Sequence, residues 1–321
     1  MSHPFNHPMD VDLTTDLAGL SLGTPVMTAS GCGGTGRELA PYLDLASLGA
    51  FTTRTITLDP RPGSPGPRVV PVPAGVVADT GHQNPGLQGF LATELPWLAQ
   101  QRVRTVVSVT ASSLGEYGEL AGRVGNAPGV HGVEVNLGGL TDPHQAGKVL
   151  HVVRREVPRG VLVLVKLPHG PEAVHLARAT VREGADAVVL GHGLPGMVLD
   201  PETLAPVPAG DPRLSGPALG PVTLRAVWDL HEELPDVPLV ACGGVRTGAD
   251  AVALLAAGAT AVQVGTALLA DPAAPATVAA GIADALAHRG LASVADLVGL
   301  GHRVPTTVPA DVLPTDPGVR P

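Results

Sequence analysis

Aromatic side chains are scarce in this 321-residue chain: three Phe, two Tyr and two Trp, 2% of the total. A full core must therefore be built from Val, Leu and Ala, which the 44% apolar content allows. Positive charge is also short. The net charge is −9, and no basic run or basic-aromatic patch appears, so a nucleic-acid partner is excluded. The two cysteines, Cys32 and Cys242, form no CxxC, so the chain carries no iron–sulfur cluster or zinc site of its own. One disulfide is arithmetically possible, but Cys242 ends an apolar run, which favours a free, packed thiol in a reducing compartment. No apolar run approaches 18 residues, and the N-terminus is polar. A soluble cytoplasmic protein with no membrane partner is expected. Twelve histidines are present, but with neither HExxH nor HxH no metal is expected.

Short β-rich apolar runs alternate with helical patterns. They predict strands at Pro25–Ala29, Ala50–Thr55, Thr105–Val109, Gly132–Asn136, Val161–Lys166, Ala187–Gly191, Leu239–Cys242 and Ala261–Val264. Helices are predicted near 37–47, 87–101, 114–125, 143–157, 172–184, 222–234, 248–257 and 273–289. Eight strands in βα alternation predict an α/β fold, a (β/α)8 TIM barrel. A doubly wound open sheet is the alternative, but no GxGxxG follows the first strand. The connections 56–86 and 191–221 are long and Pro-rich, as in loop insertions that cover or bind a ligand. No linker or repeat divides residues 1–321, so a single domain is expected, with an extended Pro-rich tail over 302–321.

Two stretches near the C-terminal end carry the first chemical signal. Val240-Ala241-Cys242-Gly243-Gly244 and Val262-Gln263-Val264-Gly265-Thr266 are apolar strands ending in small-residue turns. Glycine lets backbone N–H groups approach an anion, and the loops after strands 7 and 8 of such barrels commonly hold phosphate. Lys166 is one of two lysines and ends the run Val161–Val165. That puts a fixed cation at the barrel mouth, where catalytic groups collect, although a solvated strand-end lysine is the alternative. Asn136 ends another strand. It is either a turn residue or an amide suited to a heterocycle. Glu134 reads as an ion-paired structural carboxylate. Ala29-Ser30-Gly31-Cys32 permits close approach of a flat ligand, with Cys32 packed rather than nucleophilic.

Several motifs together resemble one family. They are Ala29-Ser30-Gly31-Cys32 with Gly36-Arg37-Glu38; Pro60-Arg61 with Pro67-Arg68-Val69; Gln83-Asn84-Pro85-Gly86-Leu87; Glu94-Leu95-Pro96-Trp97-Leu98; Glu134-Val135-Asn136-Leu137; Val165-Lys166-Leu167; Gly196-Met197 with Asp200; and Leu214-Ser215-Gly216-Pro217-Ala218. From about residue 10 to about residue 300 the chain resembles the dihydroorotate dehydrogenases. The likeness is to the class 1B catalytic subunit, which pairs with an FAD and iron–sulfur electron-transfer subunit. The resemblance implies FMN, hydride transfer at flavin N5, and a homodimer. It sets the FMN phosphate on Gly243-Gly244 and Gly265-Thr266, with Gly191 and Gly216 beside the cofactor. Ser30, Asn136 and Lys166 would edge the flavin ring. Ser108 stands where the family has an asparagine, and Arg54 where it has a lysine; Arg is larger and bidentate, so that exchange is not neutral.

The implied substrate residues depart further from the family. The loop Asn136-Leu137-Gly138-Gly139-Leu140-Thr141 has Gly139 in place of the cysteine base. Ala78, Thr141 and His192 replace asparagines around the substrate. His82 replaces a leucine, and Gly193 a threonine. Losing a positioned base costs roughly 10²–10⁴-fold in rate. Each stranded buried polar group costs about 1–3 kcal/mol. Ala78, Gly139 and Gly193 suggest an enlarged pocket, and His82 and His192 are candidate proton-transfer groups. A changed small-molecule substrate is therefore expected. A dihydroorotate dehydrogenase with a displaced base and a non-catalytic flavin-binding subunit are the alternatives.

Overall fold

The computed structural model describes residues 11–304. Eight parallel strands form one sheet: β1 Val26–Thr28, β2 Phe51–Thr52, β3 Thr105–Val109, β4 Val130–Asn136, β5 Leu162–Leu167, β6 Ala187–Leu190, β7 Leu239–Cys242 and β8 Ala261–Val264. Their spatial order is β1-β8-β7-β6-β5-β4-β3-β2. A parallel bridge between Met27 and Ala50 joins the two ends. At this seam the Thr28 hydroxyl accepts from Thr52 N–H at 2.8 Å and donates to the Thr52 carbonyl at 3.2 Å. A side chain thus completes the pairing that two short strands leave open. The result is a (β/α)8 barrel.

Helices follow seven of the strands. The first is continuous but irregular, running Gly86–Gly89, then a π segment Phe90–Glu94, then Leu95–Gln100; together these are α1. The others are α2 Leu114–Gly125, α3 Pro143–Glu156, α4 Ala173–Arg182, α5 Gly220–Glu233, α6 Gly248–Ala256 and α7 Ala274–Arg289. Sequence signals start several of them. Ser113 caps α2, Asp142 with Pro143 opens α3, and Thr247 with Asp250 forms a capping box on α6.

The helix expected near 37–47 does not form. Gly31, Gly34 and Gly36 take φ of +92°, +58° and +88°, and the chain continues as turns closed by a short 3-10 segment, Leu45–Ser47. Leu39, Leu43 and Leu45 are buried there, so the apolar spacing that suggested a helix reflects packed turns. The tail is also not extended at its start: Leu300–Arg303 is a 3-10 turn. Residues 305–321 lie outside the described residues.

Inward-facing apolar side chains fill the lower part of the barrel. An N-terminal hairpin, Thr15–Leu17 with Leu20–Leu22, closes the floor. Its Leu17 and Leu22 pack on Met27, Val106, Leu164, Val189 and Val240. At the opposite end the two Pro-rich connections pair with each other. Gly75–Ala78 aligns antiparallel to Arg213–Ser215, flanked by Val69–Val72 and Leu194–Pro195. Pro71 and Pro195 sit in the two edge strands, where proline costs least. This four-stranded sheet roofs the barrel mouth. No helix among the described residues is long and apolar enough to cross a membrane.

Candidate active site

The mouth rests on a buried polar network. Lys166 on β5 and Glu134 on β4 are 3% and 0% exposed. Lys166 Nζ donates to Gln263 Oε1 at 3.0 Å, to Ser30 Oγ at 3.2 Å and to Cys242 Sγ at 3.4 Å. Gln263 on β8 donates to Glu134 Oε2 at 2.8 Å and to Thr52 Oγ1 at 3.4 Å. Glu134 Oε1 has no hydrogen bond and lies 3.9 Å from Lys166 Nζ. Burial disfavours the lysine charge, but Cys242 and Glu134 favour it, and its pKa ends above the ordinary value. The ammonium is therefore fixed and protonated.

Above this network lies a cavity of about 660 Å³. It runs from Asn136 and Lys166 past Ser30 and Gly31 to the turns 243–246 and 265–267. In the first of these turns glycine is required by close approach. Gly244 has φ +80°, and a Cβ there would lie 2.4 Å from the Gly220 backbone. Gly216, at φ +118°, crosses Gly75 so closely that a Cβ would lie 2.7 Å from its Cα. Thr266 Oγ1 donates to or accepts from Ser215 Oγ at 2.9 Å, tying the β8 turn to the roof. Arg246 adds a cation beside these turns.

A second cavity, about 840 Å³, opens outward from the first. The two share Ala78, Thr80, His82, Asn136, His192 and Arg213. His192 lies against Gly138, where a Cβ would stand 2.6 Å from its ring. Its Nε2 is buried and has no hydrogen-bond partner. Desolvation, with Lys166 and the neighbouring cationic groups, holds its pKa well below the ordinary value, so the ring is neutral at neutral pH. His82 lines both cavities at φ +52°. Its pKa is lowered by desolvation and by Arg61, against the opposing pull of Asp79.

Two residues position these histidines, and composition and motif spacing gave neither a role. The His169 ring spans the His192 carbonyl, 2.8 Å from Nδ1, and Thr223 Oγ1, 3.0 Å from Nε2. Only an N–H can serve a carbonyl, so Nδ1 carries the proton and Nε2 accepts from Thr223. Buried Asn84 donates to the His82 carbonyl at 2.7 Å and accepts from Gly86 N–H at 2.8 Å. It sets the turn that presents His82. Gln263 was equally hidden, as one polar residue in an apolar strand.

The dihydroorotate dehydrogenase family model matches residues 12–286. The chain belongs to the dihydroorotate dehydrogenase family. It is 43% identical over 302 residues to the catalytic subunit of dihydroorotate dehydrogenase B (NAD(+)) from Pelobacter propionicus, an alignment covering 91% of this chain and 99% of that one. The like-named subunit from Geotalea daltonii is 40% identical, with 90% and 97% covered. That from Desulforudis audaxviator is 41% identical, with 92% and 99% covered. The fold also matches the crystal structure of DHODH from Eimeria tenella in complex with ferulenol, with a TM-score of 0.77, 21% identity and coverage of 95% and 92%.

The family's cofactor is FMN, and the inner cavity fits it. The turn at Gly243-Gly244, where glycine is required, and the turn at Gly265-Thr266 form a cradle with Arg246 beside it. At the other end stand a protonated lysine, the Asn136 amide and the Ser30 hydroxyl. That donor set suits an anionic phosphate at one end and a polar heterocycle at the other.

Most residues singled out from the sequence line this space. Ser30, Lys166, Gly191, Gly193, Gly216, Gly243, Gly244, Gly265 and Thr266 line the inner cavity, Gly139 the outer, and Ala78, His82, Asn136 and His192 both. Three do not reach either. Arg54 turns to Glu38, 3.3 Å away, and to the Gln83 carbonyl. Ser108 is buried beneath the mouth against Thr55 at 3.1 Å. Thr141 is exposed beyond the loop. Gly193 lines the cavity but does not enlarge it: a Cβ there would lie 2.7 Å from Arg213 Cβ, so its missing side chain admits the roof strand. At Gly139, by contrast, a Cβ meets nothing within 4 Å. Among the described residues no group of three His, Cys, Asp or Glu is placed to hold a metal ion.

Proposed function

We propose that the chain is an FMN-dependent oxidoreductase of this family that acts on a substrate other than dihydroorotate. The observation that carries this is Gly139. The family's base position has no side chain and faces open space, while two histidines stand at the cavity junction. FMN bound in the inner cavity supplies a hydride acceptor or donor at N5. Lys166 contributes a fixed positive charge at the ring edge, and the network beneath it holds its ammonium in place. Asn136 offers an amide to the substrate or ring from the same wall.

Proton transfer falls to the histidines. His192 is the weaker base, because its surroundings disfavour the cation most strongly. Its unpartnered Nε2 suits a hydrogen bond to the substrate. His82 stands at the rim, with Asp79 offsetting part of the effect of Arg61, and is the better proton acceptor. Relaxed selection would not spare only the cofactor turns, so their retention beside an altered substrate wall favours a rebuilt site over a decayed one.

A second reading, true dihydroorotate dehydrogenase activity with a displaced base, is favoured by the names of relatives about 40% identical over nine-tenths of the chain. Anaerobic mixing of the FMN-loaded protein with dihydroorotate separates the two. Slow or absent flavin bleaching supports the changed substrate; bleaching within a few turnovers' time supports the second reading. Since those relatives are catalytic subunits, we also propose a separate electron-transfer subunit carrying FAD and an iron–sulfur cluster, and a homodimer of this chain. Co-expression with the candidate partner, followed by size-exclusion chromatography, tests both.

A further inference from the structure

Thr223 and His169 stand behind the cavity walls and line neither cavity. Thr223, in the first turn of α5, is fully buried. Its hydroxyl meets His169 Nε2 at 3.0 Å, and His169 Nδ1 meets the His192 carbonyl at 2.8 Å. Burial lowers the His169 pKa, the bond to the carbonyl opposes this, and Lys166 adds to the lowering. The ring is therefore neutral at neutral pH, with one N–H to give and one lone pair to offer. Both are used. The only hydrogen bond to the His192 carbonyl among the described residues comes from this ring.

Two glycines bring this pair against both ends of the inner cavity. Gly243, at φ +141°, lies so close that a Cβ there would stand 2.5 Å from Thr223 Oγ1 and 3.6 Å from His169 Cε1. A Cβ at Gly191 would stand 2.5 Å from the His169 ring. The turn that cradles the FMN phosphate thus rests on Thr223, and the segment that carries His192 rests on His169. One hydrogen bond joins the two supports. Interiors packed this closely transmit a displacement instead of absorbing it. The Gly191 amide also donates to the Cys242 carbonyl at 2.8 Å, but that ladder bond ends one residue short of His192.

We propose that Thr223 and His169 form a strut shared by two sites. They are positioning residues that set the Gly243-Gly244 turn toward the FMN phosphate and, through the His192 carbonyl, fix the place of the His192 ring. The strut rests on the reading of His192 as a substrate-wall residue and is independent of which substrate reacts there.

NMR of isotopically labelled histidine in the full chain stripped of FMN reads the strut without the flavin. The His192 and His169 signals are assigned by their loss in His192→Gln and His169→Asn. Thr223→Val keeps the side-chain shape and removes the hydroxyl. It is expected to shift the His192 ring signals, although Thr223 makes no hydrogen bond to His192. In a His169→Asn background the same substitution is expected to leave them unmoved. FMN affinity, read by quenching of flavin fluorescence, is expected to weaken about fivefold in Thr223→Val, the effect of one lost hydrogen bond. Thr223→Ser should restore it to within about twofold, and the double variant should bind no more weakly than the weaker single one. Unmoved His192 signals in Thr223→Val, a shift that persists in the His169→Asn background, or an unchanged FMN affinity would each overturn the strut. Should Thr223→Val fail to fold, His169→Phe removes both bonds at once and must then move His192 and weaken FMN together. Rapid bleaching by dihydroorotate would overturn the changed-substrate reading and leave the strut standing.

Discussion

Gln263 and Glu134 join across the full width of the barrel, the amide of one donating to the carboxylate of the other at 2.8 Å. The same amide accepts from Lys166 through its oxygen at 3.0 Å. One neutral side chain thus links an acid and a base that are 3.9 Å apart and both buried. The ion pair alone does not satisfy the hydrogen-bonding capacity of either group, and buried charges without such partners are costly.

Gln263→Leu is accordingly expected to destabilise the protein, by about 1–3 kcal/mol for each polar group left without its partner. The midpoint of urea unfolding should fall, and FMN affinity should weaken as the Lys166 ammonium loses its position. An unchanged midpoint would show that water or a rearranged Glu134 replaces the amide.

Glycines 138 and 139 are neighbours with opposite tolerance. A Cβ at Gly138 would stand 2.6 Å from the His192 ring, whereas one at Gly139 meets open space without a left-handed backbone. Gly139→Cys should leave stability within about 0.5 kcal/mol. By placing a thiol where the sequence resemblance sets the family's base, it should also raise dihydroorotate-dependent flavin reduction, by as much as ~10²–10⁴-fold if the base is all that is missing. Gly138→Cys should cost about 1–3 kcal/mol, because it must displace His192. Stopped-flow bleaching and urea unfolding measure the two effects separately.

The barrel was legible because its strands are continuous apolar runs bounded by turns, and strands buried on both faces leave that trace. The roof was not. Gly75–Ala78 pairs with Arg213–Ser215, and no local pattern reports a partner so distant in the chain, least of all through proline-rich segments. Arg54 shows the same limit at one residue. Its place after the second strand suggested the cofactor site, but Glu38 turns its guanidinium aside. The small-residue turn that holds Glu38 in reach replaces a helix the apolar spacing had suggested. Gly139 could be read as a missing base from sequence, but whether it opened space depended on what surrounds it. At Gly193 the roof occupies that space.

Histidine burial gives the pH dependence a definite sign. Desolvation is the leading cause of the lowered pKa values of His82, His169 and His192. In the unfolded chain these rings protonate near pH 6.5, and in the folded chain only at lower pH. Between those values the unfolded state binds more protons, so their contribution to stability is present above about pH 6.5 and is lost as pH falls through the folded pKa values. Urea unfolding should therefore show a lower midpoint at pH 5.5 than at pH 7.5. His169→Asn, which cannot titrate, should narrow that gap while lowering stability at pH 7.5, because Thr223 and the His192 carbonyl lose a shared partner. A gap of unchanged width would remove His169 from the account.

Cys32 is expected to be inert while the protein is folded. Burial is the main reason its thiol pKa rises, with Cys242 adding to the effect and Lys166 opposing it, and the value reaches about 11. The thiolate is the reactive form, so at pH 8 the population able to attack an alkylating agent is on the order of one in a thousand, before shielding is considered. Iodoacetamide at pH 8 should leave Cys32 unmodified in the native protein and label it within minutes in 8 M urea, with peptide mass spectrometry as the readout. Lys166→Met removes the one named influence that lowers the pKa and should not increase labelling, provided the variant retains its fold by circular dichroism. Rapid native labelling would mean that the thiol is more acidic than its surroundings imply and is reached through the inner cavity that it lines.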